Sequence, residues 1–235
     1  MSPAPARSAE EVHAFREKIL DAAQDILNKQ GFEALSMRRI AGRLQMTATN
    51  IYNYFVNKDE IYLALQTRGF IMLAKRFEVV DAQYKNPLDR LKGYMKAYIA
   101  FGLEQPDQYA VMFTYNTPKF ADYAGTAQEP AATEEKLAAM VLAEMAVKTT
   151  DELIKEHPEL AAVTDPYYRM VHAWVTLHGI VSIMGSRVLQ EVVANTHEVI
   201  TFIIDEIMSQ IFSPTVKGAR AVPVLPPGKA KLPDR

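Results

Sequence analysis

The sequence predicts an all-α protein of about nine helices: a small three-helix module with a tight turn between its second and third helices, then a larger helical domain. Three observations support this. Apolar residues recur at three- and four-residue spacing along most of the chain, the period of one helix face, and no stretch shows strand alternation. Ser, Thr, Asn, Pro and Gly fall where those stretches begin and end, as helix caps and stops do. The chain has 235 residues, 49% of them hydrophobic and 23% charged, which suits one large soluble domain or two modest ones with proper cores.

Residues 1–9 hold two prolines and no periodicity, and read as a flexible arm in which Arg7 could touch a nucleic-acid backbone. Phe15, Ile19, Ala22 and Ile26 line one face of a first helix over residues 10–30, stopped by Gly31. Phe32 and Leu35 read as core contacts. Ser36 suits the N-cap of a second helix over 37–44, with Ile40, Ala41 and Leu44 inward and the arginines outward. Gln45 and Met46 make the turn. Thr47 caps a third helix over 48–54, with Ile51 and Phe55 buried. Two short helices joined by three or four residues, preceded by a third, form a helix-turn-helix module over residues 10–57.

The larger domain, residues 58–212, begins with a helix from Lys58 to about Tyr84. Its first turn carries Asp59 and Glu60, as a helix N-terminus prefers, and Ile61, Leu65, Ile71 and Leu73 are candidate inward positions. Asn86-Pro87 ends it and opens the next helix, 87–104. Pro106 begins a short helix carrying Tyr109, Met112 and Phe113. Residues 116–130 read as a loop, a candidate flap over a cavity. A helix over 131–156 stops before Pro158. Another, 165–191, places Val171, Trp174, Val175, His178 and Val181 on one side. The last, 196–212, carries the broad stripe Ile200, Ile203, Ile204, Ile207 and Ile211. The tail, 213–235, with five prolines in 23 residues, reads as disordered.

Composition excludes several classes. The absence of cysteine rules out disulfides, thiolate metal sites and cysteine nucleophiles. His172, His178 and His197 lack metal-ligand spacing, so neither a metal nor a cofactor is expected. No Gly-rich phosphate loop, paired-carboxylate motif or Ser-His-Asp arrangement stands in a plausible setting, so no enzyme is expected. The most apolar stretch, 171–184, is broken by His172, Thr176, His178 and Ser182, and the N-terminus has no signal-peptide core. A soluble, cytoplasmic protein without a membrane partner is therefore expected.

Charge is distributed unevenly. The net charge is −2, yet residues 1–58 hold eight Lys/Arg against six Asp/Glu. Residues 36–58 hold Arg38, Arg39, Arg43 and Lys58 with no acid. Between them lie the hydrogen-bonding side chains of Thr47, Thr49, Asn50, Tyr52, Asn53 and Tyr54. That combination suits a nucleic-acid surface; a solvated basic face is the alternative.

From Leu35 to Ile61 the chain resembles the tetracycline-repressor (TetR) family of bacterial transcription regulators. Ser36-Met37-Arg38-Arg39-Ile40-Ala41, Ile51-Tyr52-Asn53-Tyr54-Phe55 and Lys58-Asp59-Glu60-Ile61 carry the likeness, which with the preceding helix covers residues 10–61. A second match, Trp174-x-x-x-His178-Gly179, resembles the Trp-His-Gly type of C-terminal domain found in one branch of the family. The chain departs from the pattern at Gln45, where glycine is common. A left-handed backbone there costs a non-glycine residue about 1 kcal/mol. Thr49 also stands where the family often has glycine.

The resemblance implies a double-stranded DNA operator as partner. Thr47, Tyr52 and Lys58 would contact phosphates, which set register without reading sequence. Ala48, Thr49 and Asn53 would face base edges, Asn53 suiting adenine and the Thr49 methyl a thymine methyl. Arg38 or Arg39 would contact backbone or an adjacent groove edge. Core packing is the alternative for Tyr52 and the preferred reading for Tyr54, and Arg43 reads as part of a solvated face. One module spans only a few base pairs, so a homodimer is implied. The last two helices are its candidate seam, unless they simply fill the core. The middle helices would hold a largely apolar or aromatic small-molecule effector against Met95, Tyr98, Phe101, Tyr109, Met112, Phe113 and Trp174, with His178 as a hydrogen-bonding candidate. Ordinary core is the alternative for each. The function implied is a ligand-responsive transcriptional regulator, a repressor released from its operator by a small molecule. The alternative is a helical small-molecule-binding protein that binds no operator.

Overall fold

The computed structural model describes residues 8–160 and 166–212. The arm up to Arg7, Asp165, the side chain of Ile211 and the tail from Ser213 lie outside the described residues. Ten α-helices occur among the described residues. Ser8 caps α1 (Ala9–Gln30) in a reciprocal capping box with Glu11, and Gly31 stops it at φ 81°, a value that costs glycine little. After a 3₁₀ turn (Phe32–Ala34) come α2 (Met37–Arg43), α3 (Ala48–Tyr52) and α4 (Lys58–Gln83). Asn86 caps α5 (Pro87–Glu104) by accepting from the Leu88 and Asp89 amides. A short α6 (Pro106–Tyr109) runs into a π-turn (Ala110–Thr114), and α7 (Glu129–Glu156), α8 (Pro166–Gly185), α9 (Val188–Val192) and α10 (Thr196–Phe212) follow. No described helix is long and apolar enough to cross a membrane.

The tenth helix arises because the stretch expected as one helix over 165–191 is two. Arg187 has φ 63°, which a right-handed helix cannot pass through, and the Ser186 hydroxyl donates to the Ile183 carbonyl at 3.1 Å. The loop expected over 116–130 contains a 3₁₀ turn (Phe120–Tyr123), and α7 begins within it at Glu129. Tyr123 is buried there with Leu63 and Ala132.

Among the described residues two compact units emerge, one of residues 8–69 with 107–137, the other of 70–106 with 138–160 and 166–212. The core of the first joins Ile19, Ala23 and Ile26 of α1, Ile40 of α2, Ile51 of α3, Phe55, Ile61 and Leu65 of α4, and Val111. Each is almost completely buried, and burying an Ile, Leu or Phe side chain contributes about 1.5–3 kcal/mol. In the second unit α8 packs on α5, and α10 on both. Its core includes Leu91, Tyr94, Met95 and Ile99 of α5, Leu153 of α7, Ala173, Leu177, Ile180 and Val181 of α8, and Ile204, Ile207 and Met208 of α10.

Periodicity is corrected on two helices. Ile71 is 45% exposed, whereas Ile61, Leu65 and Leu73 are fully buried. Ile71 lies two residues before Leu73, roughly 200° around the helix, so it faces the opposite side. On α8 the buried side is Ala173, Leu177, Ile180 and Val181, while Trp174 and Val175 are exposed and Val171 is half-buried. α8 is apolar nearly all round, so periodicity by itself could not choose the side turned toward its own chain.

Candidate nucleic-acid interface

The geometry of α2 and α3 follows from their caps. Ser36 is extended, and its hydroxyl accepts from the Arg39 amide at 3.2 Å. α2 ends at Leu44, Gln45 takes φ 55°, and the Met46 amide closes the turn on the Ala41 carbonyl at 2.9 Å. The left-handed residue thus falls where the sequence places it, on a glutamine. Thr47 is the extended N-cap of α3, but its hydroxyl makes no capping bond and is exposed. α3 is two residues shorter than expected. Asn53 ends it, and the Tyr54 carbonyl accepts from the Arg16 guanidinium of α1 in place of an amide farther along the chain.

The side chains divide by chemistry. Thr49, Asn50, Asn53, Lys58, Arg38 and Arg39 are exposed and Ala48 is half-buried, while Ile51 is fully buried. The two tyrosines separate: Tyr52 is 54% exposed and Tyr54 is buried, its ring 4.7 Å from that of Phe15. The three arginines of α2 separate as well. Arg43 pairs with Asp25 at 2.5 Å, and Arg39 donates to Gln30 at 3.1 Å and to the Ala34 carbonyl at 3.3 Å. Arg38 makes no ion pair among the described residues and projects outward from the start of α2. Lys29 and Arg43 together hold the Asp25 carboxyl below the usual carboxylate range.

Behind this face lie residues that sequence reasoning passed over. Asn57 accepts from the Glu60 amide at 3.0 Å, and Glu60 accepts from the Val56 amide at 2.6 Å. The Asn-x-x-Glu spacing of a capping pattern was the available signal. Farther along α4, Gln66 donates to the Val111 carbonyl at 3.1 Å and to Thr117 at 3.3 Å, and Gln108 donates back to the Leu65 carbonyl at 2.8 Å. Gly69 makes this approach feasible. A Cβ there would sit 2.4 Å from both Gln108 Nε2 and Met112 Sδ. Nothing in the local sequence reveals that pairing.

The expected effector residues fall in both units. In the first, Tyr109 and Met112 are buried, Phe113 is half-buried, and the Tyr109 and Phe113 rings lie 4.9 Å apart. In the second, Met95, Tyr98 and Phe101 are buried on α5. Trp174, 43% exposed, donates through Nε1 to the Tyr98 hydroxyl at 3.1 Å. His178 is half-buried, and burial pushes its pKa down, toward the neutral ring. No group of residues suited to a metal occurs among the described residues.

Residues 19–65 match the family described as bacterial regulatory proteins, tetR family, and residues 91–207 match the tetracyclin repressor-like C-terminal domain. Among curated relatives, the transcriptional repressor KstR of Rhodococcus jostii RHA1 is 35% identical over 75 residues, 32% of each chain. KstR of Mycobacterium tuberculosis H37Rv is 30% identical over 76 residues, 32% of this chain and 34% of the relative. The chain thus spans about a third of the length of the curated relatives it matches. Among solved structures, a protein of unknown function from Rhodococcus sp. RHA1 superposes with TM-score 0.66 at 21% identity, over 89% of this chain and 98% of that one. A TetR family transcription regulator from Marinobacter aquaeolei VT8 superposes with TM-score 0.58 at 15% identity, over 86% and 98%. At such identities the likeness is one of fold.

Proposed function

We propose, because this chain belongs to the tetR family of bacterial regulatory proteins, that it is a cytoplasmic transcriptional repressor, holding a DNA operator as a homodimer and releasing it when a small molecule binds. The observation that carries this reading is the outward row Thr47, Thr49, Tyr52, Asn53 and Lys58, exposed along and beside α3 while Ile51 anchors that helix in the core.

Thr47, Tyr52 and Lys58 take phosphates in this reading. The Thr47 hydroxyl is spared from capping, the Tyr52 phenol is free of the core, and Lys58 supplies a point charge at the start of α4. Ala48, Thr49 and Asn53 read base edges, with Asn53 donating to and accepting from adenine. Of the arginines, Arg38 reaches the DNA, while Arg39 contacts it only by leaving Gln30 and Ala34.

The effector is largely apolar or aromatic. Its candidate contacts are Met95, Tyr98, Phe101, Trp174 and His178 within the second unit, while Tyr109, Met112 and Phe113 are candidates within the first, each set taken by itself. Trp174, His178 and Gly179 form the Trp-His-Gly pattern of one branch of the family. The Trp174–Tyr98 hydrogen bond and a neutral His178 supply the few polar groups that orient such a ligand. A shift at Tyr109–Phe113 reaches α4 through the reciprocal Gln66 and Gln108 bonds, and the effector acts by binding the released state more tightly. The dimer seam lies on α8 and α10, whose exposed Val175, Ile183 and Phe202 exceed what one chain covers.

Fluorescence anisotropy of the full-length protein on DNA upstream of its own gene tests this. Salt-sensitive, sequence-specific binding is expected, weakened by Tyr52→Phe combined with Lys58→Ala. A protein that binds no such fragment, or whose double variant keeps every activity, is instead a helical small-molecule binder without an operator.

A further inference from the structure

We infer that Arg16 of α1 is a positioning residue for DNA reading, gripping the C-terminal end of α3 against the first turn of α4 without itself facing DNA. The inference rests on the operator-binding reading above for its consequence, though not for its geometry.

The Arg16 guanidinium serves three neighbours at once. It donates to the Tyr54 carbonyl, lies 3.3 Å from a Glu60 carboxylate oxygen, and sits over the Phe55 ring at 4.0 Å. The other Glu60 oxygen accepts from the Val56 amide at 2.6 Å. The carbonyl of Tyr54, the ring of Phe55 and the amide of Val56 are therefore held in succession by one ion pair. Higher on α1, Arg68 of α4 reaches Glu17 and Asp21, each at 2.7 Å. α1 is thus bridged to α4 at Glu60 and again at Arg68, about two turns apart, and cannot rotate independently of it.

α3 needs such a grip. It has five residues, with Ile51 as its buried side chain, and an isolated helix of that length has no stability of its own. Anchored at Ile51 alone, it could swivel and carry Thr49, Tyr52 and Asn53 out of register with base edges. Lysine is a poor substitute for Arg16. An ammonium lacks the planar face and the several directed donors needed to serve a carbonyl, a carboxylate and a ring together.

The test compares the full-length wild type with Arg16→Gln, Arg16→Lys and Glu60→Gln. Anisotropy titrations use the upstream fragment and an unrelated duplex at several salt concentrations, and amide hydrogen exchange is measured at residues 52–56 in the free protein. Arg16→Gln and Glu60→Gln should each weaken operator binding about tenfold or more. Affinity for the unrelated duplex and the salt slope should stay at wild-type values, because every phosphate keeps its partner. Arg16→Lys should recover only part of the loss. Exchange at the Val56 amide should rise in all three. Operator affinity within twofold of wild type in both Arg16→Gln and Glu60→Gln overturns the inference, as does an equal loss on both duplexes with a shallower salt slope. If the wild type binds no fragment specifically, the operator reading fails, and unchanged exchange at Val56 then overturns the clamp independently.

Discussion

α3 shows solvent its Thr49, Asn50, Tyr52 and Asn53 while Ile51 is fully buried. α8 buries Ala173, Leu177, Ile180 and Val181, yet leaves Trp174, Val175 and Ile183 at 43%, 61% and 45% exposure. The first helix has satisfied its apolar requirement within one chain, and what remains outside can only be used by a polar, charged partner. The second has more apolar surface than its own chain covers. Scattered exposed apolar residues are ordinary, but several on one helix suit an interface. In the reading proposed above, the same chain presents two surfaces for opposite partners: DNA for α3, a second copy for α8.

The strongest way to break that comparison is at α8. Val175→Glu combined with Ile183→Glu should leave helical content intact and convert a dimer to a monomer in sedimentation. Operator affinity should fall about 10²–10⁴-fold, because the two modules lose their mutual effective concentration. A dimer that survives both charges removes α8 from the seam. Ile51→Ala attacks the other side and should cost about 2–5 kcal/mol in a denaturant melt, the range for emptying a fully buried Ile site. It should abolish operator binding while the dimer persists. Loss of both together would mean that the two surfaces are not independent.

Smaller changes sharpen the reading of α3. Asn53→Ala should cost about 1–3 kcal/mol against the operator and relax preference at a single base position in a competition assay. Lys58→Ala should weaken all DNA alike and reduce the salt slope by about 0.9 for each phosphate that Lys58 neutralises. The smallest effect belongs to the turn. Gln45→Gly should relieve the left-handed strain and raise stability by about 0.5–1 kcal/mol in urea unfolding, with base preference unchanged.

Much of the fold is legible because caps and stops act over three or four residues. Ser36, Thr47, Asn86 and Gly31 all occupy the terminal positions their chemistry suggests. The positive φ of Gln45 is legible in the same way. Periodicity failed where apolar residues surround the helix. Ile71 and the Trp174–Val175 side of α8 have neighbours at helical spacing but face outward, since the pattern states which residues share a face and not what covers it. The interface divides likewise. That Thr47, Tyr52, Asn53 and Lys58 lie outward was foreseeable from the spacing of Ile51 and Phe55. The sequence set Arg43 apart from Arg38 and Arg39, but not those two from each other, because Gln30 and Ala34 come within reach of Arg39 only after α1 and α2 pack.

The sequence by itself determined the helical class, the positions of the caps, the left-handed turn and the polar row on α3, all consequences of interactions between near neighbours. Only the tertiary structure decided which side of α8 is covered, which arginine remains available, and how α3 is held. Arg16 stands 38 residues from Tyr54 and 44 from Glu60. No local preference connects groups that far apart along the chain. They meet because burial of Ile19, Ile51, Phe55 and Ile61 in one core brings α1, α3 and α4 together and leaves the guanidinium at their junction.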